Sequence, residues 1–132
     1  MAKYNSIDHA LHNEKVCKYL NKKPENADWV ITTAFYAALH FVRSKIFPFT
    51  ATVDGKDITI ADFNSYCLKK QISSGKHRAL FELVEEKMPQ LADKFNHLKD
   101  ISWTARYNRY EYTREVSNFA LEELDAIKSQ CL

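Results

Sequence analysis

The sequence predicts an all-α protein: an up-and-down bundle of four to five helices interrupted by a short β-hairpin-like insertion near residues 50–60. Three observations point there. The 132-residue chain holds only 2 glycines and 3 prolines, far too few for the frequent tight turns of a β-sandwich or barrel. Apolar residues recur at helical spacing through most of the chain. At 45% hydrophobic and 13% aromatic residues, the chain carries enough apolar surface to build a core, which excludes intrinsic disorder. The length suits one domain spanning residues 1–132.

The first helix is expected from Ser6, whose hydroxyl can cap free amides, to about Leu20, with Ile7, Ala10, Leu11, Cys17 and Leu20 on its inner face. Asn21 to Asn26, with Pro24 among them, ends it. The second helix, Ala27 to Phe47, is apolar on nearly every side, and between Asp28 and Arg43 only His40 titrates near neutral pH. A helix of that composition belongs at the centre of a bundle. Pro48 stops it, and the β-branched residues flanking Asp54-Gly55 predict the hairpin. A short helix from about Ala61 to Gln71 and a loop at Ser73-Ser74-Gly75 follow. His77 to Met88 carries Leu80, Phe81, Val84 and Met88 at helical spacing, and Pro89 ends or kinks it. Gln90 to Tyr107 aligns Leu91, Phe95, Leu98, Ser102 and Ala105; the last helix, Thr113 to Gln130, aligns Val116, Phe119, Ala120, Leu124 (or Leu121), Ile127 and Cys131.

Charge and cysteine usage narrow the function classes. With 19 basic and 17 acidic side chains the net charge is +2, which excludes a wholesale nucleic-acid coat but not a local patch. Three scattered cysteines with no C-x-x-C pair fit neither a disulfide framework nor a zinc site, and suit a reducing cytoplasm. The run from Trp29 to Val42 is too short for a membrane span and no secretory signal is visible, so a cytoplasmic protein without a membrane partner is expected. Neither a glycine-rich phosphate loop nor H-E-x-x-H is present, and His9 and His12 alone make no metal site. No cofactor or metal is expected.

The segment richest in chemistry runs from Ser102 to Arg114, where Arg106, Arg109 and Arg114 alternate with Tyr107, Tyr110 and Tyr112. Guanidinium forks suit phosphates and phenol rings suit bases, which is what recognition of single-stranded RNA or a nucleotide requires. Tyrosines half-buried at a helix end, with arginines paired to Glu111, Glu115 or acids of the last helix, would give the same pattern for structural reasons. Arg106, Arg109 and Tyr112 are therefore candidate ligand contacts. His77 and Arg78, just after a glycine-containing loop, are candidates for an anion near a helix start. His40 is either a satisfied core histidine or a site residue.

The run Thr33-Ala34-Phe35-Tyr36-Ala37-Ala38-Leu39-His40-Phe41 resembles the aromatic-Tyr-Ala-x-x-His signature on the central helix of HEPN domains, which are nucleotide- and RNA-associated helical bundles. Ser74 to Phe81 resembles that family's loop-and-His entry to the next helix, and Leu98 to Tyr107 resembles its stretch ending in Ala-Arg-Tyr. The three matches are collinear across residues 27–128. The resemblance implies an all-α homodimer, in some members a metal-independent ribonuclease whose arginine is followed four to six residues later by a histidine. Here no histidine follows His97, and none of the arginines has one at that spacing. Since cleavage without a metal needs a group that titrates near neutrality, Arg106 carries over as a phosphate contact and the catalytic role does not; no catalytic residue is assigned. The expected function is a non-catalytic domain that binds RNA or a nucleotide as a homodimer. The alternatives are a toxin-type ribonuclease using His77 or His40, and a protein-interaction module engaging a protein partner through the 50–60 insertion.

Overall fold

A computed structural model describes residues 5–107 and 112–132. Their α-helices are α1 (Ser6–Leu20), α2 (Ala27–Ile46), α3 (Phe63–Lys69), α4 (Lys76–Lys87), α5 (Ala92–Tyr107) and α6 (Arg114–Cys131), with β1 (Phe49–Val53) and β2 (Lys56–Ile60) between α2 and α3. The chain is thus an all-α bundle of five long helices and the short α3, with one antiparallel hairpin.

The 20-residue α2 is the axis of the bundle, packed against α1, α6 and α5. Its buried positions include Val30, Ile31, Ala34, Phe35, Ala37, Ala38, Phe41 and Val42, which join Leu80, Phe95, Leu98, Leu124 and Ile127 in one apolar cluster. The alanines of α2 let neighbouring helices approach closely. Phe35, meanwhile, fills the space towards α5, its ring 5.8 Å from Phe95. Each such large side chain contributes about 1.5–3 kcal/mol by leaving water.

Two details of α1 depart from expectation. Asn5, not Ser6, caps it, the Asn5 carboxamide oxygen accepting from the Asp8 amide, because the residue before the first helical turn has the extended backbone a cap needs. Leu11 is 40% exposed, whereas Glu14 is 6% exposed. Glu14 is tolerated inside because Lys128 on α6 bonds both its carboxylate oxygens, at 2.9 and 3.2 Å. On α6, Phe119 is exposed at the edge of the predicted stripe while Leu124 is buried, and Phe119 meets the His97 ring edge-on.

The hairpin pairs Phe49 with Ile60 through Val53 with Lys56. Its turn residues Asp54 and Gly55 both have positive φ, 53° and 78°, the left-handed pair that a two-residue hairpin loop demands. Phe47, Phe49, Phe63 and Tyr66 pack ring against ring and tie the hairpin to the end of α2 and to α3. Asp62 caps α3 through the Ser65 amide. Cys17, Cys67 and Cys131 are buried free thiols. Among the described residues no helix is long and apolar enough to cross a membrane.

Candidate functional site

Where α2, α4 and α5 meet, Tyr36, His77, Trp103, Arg106 and Tyr107 line an open cleft of about 470 Å³. Three elements build it for local reasons. Positions 103, 106 and 107 fall on one side of the last two turns of α5. His77 stands in the first turn of α4, which Gly75 opens with a φ of 68° that other residues rarely adopt. Tyr36 is one of the few positions of α2 that reach solvent, its ring against buried Phe35.

Arg106 is held in place. Its Nε donates to the Ser102 carbonyl at 3.3 Å and its Nη1 donates to the Tyr36 hydroxyl at 2.5 Å. The guanidinium carbon is 5.4 Å from the Tyr36 ring centre and 5.3 Å from that of Tyr107, so cation–π attraction fixes the plane further. Two of five donors are used in these bonds; no carboxylate among the described residues lies within 4.0 Å. The rest of the fork suits a bidentate oxyanion. Beside it Trp103 and Tyr107, 51% and 66% exposed, have ring centres 5.5 Å apart, offering flat faces to a base.

His77 completes the cleft, its ring edge-on to Phe35 at 5.3 Å and to Tyr36 at 6.2 Å. Burial pushes its pKa down, and the charges of Arg106, Arg43 and Lys99 add to that depression. A neutral imidazole can accept a hydrogen bond or a proton. Cleavage of RNA also needs a group to protonate the leaving oxygen, and among the described residues no other histidine lines this cleft.

Three of the other predicted residues are placed elsewhere. His40, one turn beyond Tyr36 on α2, faces α1, its ring 5.1 Å from His9. Its pKa falls to about 4 through burial, then the Arg43 charge, then His9. Arg78 points away on α4, 82% exposed and paired with Glu82 at 3.2 Å. Tyr112 packs half-buried against the core. Arg109 lies outside the described residues. Of the six candidates, the structure thus brings Arg106 and His77 together.

Three cleft residues, Tyr36, Trp103 and Tyr107, were not among the candidates. A signal for two of them exists in the sequence: Trp103, Arg106 and Tyr107 stand at i, i+3 and i+4, the spacing of one helix face. Tyr36 stands in the aromatic-Tyr-Ala-x-x-His run, but its contact with Arg106 becomes visible only once α2 and α5 are packed. No family model, curated protein or solved structure matches the chain.

Proposed function

We propose that the chain is a HEPN-like, non-catalytic domain that binds single-stranded RNA or a nucleotide in the Tyr36–His77–Arg106 cleft and acts as a homodimer. One observation carries this: a guanidinium clamped by a tyrosine hydroxyl and a backbone carbonyl, without a carboxylate partner among the described residues, beside two exposed aromatic rings. A guanidinium whose only purpose was structural would be expected to meet an acid. This one is oriented but left uncompensated, next to surfaces on which bases stack. The collinear resemblance along α2, α4 and α5 supports the family, and with it the dimer.

Titration of fluorescently labelled single-stranded RNA and of a labelled mononucleotide, each at several salt concentrations, tests the proposal. Binding that weakens with salt, drops at least tenfold in Arg106→Ala and is indifferent to Arg78→Ala is the expected result. Absent or salt-insensitive binding, or binding that ignores Arg106→Ala, overturns it. Sedimentation of the same samples reads the dimer.

A ribonuclease is the second reading, favoured by the neutral His77 ring beside Arg106. It predicts RNA cleavage in the presence of chelator, abolished by His77→Ala.

A further inference from the structure

The partly exposed line of α2 does not stop at the cleft. From Ala34 to Arg43 every residue is buried except Tyr36, His40 and Arg43. Steps of four and three residues set these on one face of the helix, each a polar side chain on an otherwise apolar rod, with the middle one, His40, lying against His9 of α1. The rise from Tyr36 to Arg43 is about 10 Å.

At the far end of this line Arg43 opens into a second cavity of about 420 Å³, lined also by Asn5, Ser6, Ser44, Phe63 and Asn64. The Phe63 ring centre is 4.6 Å from the guanidinium carbon, which orients the fork. The Arg43 Nε is buried without a hydrogen-bond partner, and among the described residues no carboxylate comes within 4.0 Å of it. Asp62 is the acid on the cavity wall, and its carboxylate is turned to the Ser65 amide at 2.8 Å. The Nε itself is out of reach of solvent, so an oxyanion in this cavity would pair with the other guanidinium donors of the half-buried Arg43.

We infer that the RNA site runs along this face of α2, with Arg106 and Arg43 holding two different backbone phosphates of one single strand. The inference rests on the cleft at Arg106 being the nucleic-acid site, and narrows its ligand from any nucleotide to an oligonucleotide. The charges of Arg106 and Arg43 both add to the effect of burial in lowering the His77 pKa. A mononucleotide has its phosphate in one place and can occupy one of them. The contiguous phosphates of a nucleoside triphosphate carry more charge than a monophosphate without the spacing of a strand.

The experiment is a length series on the intact chain: uridine monophosphate, uridine triphosphate, and uridine oligonucleotides of increasing length, each titrated across a salt range. The oligonucleotides are expected to bind about tenfold more tightly than the monophosphate, with a salt dependence steeper by about 0.7 in log–log slope for the added phosphate. Arg43→Met is expected to collapse that difference, and Arg43→Lys, which keeps the charge without the fork, to restore part of it. A length advantage that survives Arg43→Met overturns the inference. So does a triphosphate that gains as much as the oligonucleotides. Should Arg43→Met fail to fold, the series on the unaltered chain still decides, because equal affinity and slope at every length is fatal. Binding that is lost in Arg106→Ala but independent of length removes this inference alone, whereas no binding at any length removes the proposed function with it.

Discussion

On the side of the bundle where α6 meets α1 and α5, the buried carboxylates are matched. Glu14 and Glu123, each 6% exposed, take Lys128 at 2.9 Å and His97 at 2.5 Å respectively. Two arginines are treated otherwise: Arg106, where α2 meets α4 and α5, is held by a hydroxyl and a carbonyl, Arg43, where the end of α2 meets α3, by a ring, and neither forms an ion pair with an acid among the described residues. Desolvating a charge is expensive wherever it happens. Glu14 and Glu123 find their partners within the chain; Arg106 and Arg43 are oriented without an acid partner among the described residues, as the proposed RNA site requires. Under the proposed function, the contrast separates charges that hold the fold from charges that meet a ligand.

The largest effect should come from breaking a matched pair. Lys128→Ala strands the Glu14 carboxylate, with Lys18 at 3.6 Å as partial compensation, and should cost about 2–3 kcal/mol in urea unfolding while leaving RNA affinity unchanged. A loss of affinity without a loss of stability would erase the distinction between the two sides. Next, Trp103→Ala should weaken RNA binding about tenfold through lost stacking and move stability by less than about 0.5 kcal/mol, since the indole is half exposed. Stability loss without an affinity change would return Trp103 to a packing role.

The smallest effect concerns pH. His40 has its pKa depressed from 6.5 to about 4, so between those values the unfolded chain binds the proton and the folded chain does not. Stability is therefore complete above about pH 6.5 and declines as pH falls towards 4. His40→Gln should flatten that decline by about 1 kcal/mol or less, because the ring is only partly buried. Parallel urea midpoints for the two proteins across this window would remove His40 from the account.

Much of the fold was legible because it depends on neighbours in sequence. Pro48 and Pro89, the Asp54-Gly55 turn and the unbroken apolarity of α2 act within a few residues of themselves, and the helices lie close to where periodicity puts them. What was illegible depends on distant partners. Leu11 and Glu14 look misplaced on an isolated α1, and it is chiefly Lys128, 114 residues away, that explains why the acid is inside. The site divides in the same way. Arg106 stands out by its local company of aromatics, but the tyrosine that holds it is 70 residues distant. His40 and Arg78 share the right residue types, yet one faces α1 and the other faces solvent with its own acid.

The three buried thiols have a practical consequence. Burial raises the pKa of Cys17 and of Cys131 to about 11, so in the native fold neither offers much thiolate to an alkylating reagent. Cys17 sits at the α1–α2 contact, donating to the Val30 carbonyl at 3.2 Å, and Cys131 closes α6. Their alkylation must wait for these helices to separate. Timed iodoacetamide labelling, read by peptide mass, therefore makes the chain its own clock for opening, with α1 and α6 reporting independently and no probe introduced.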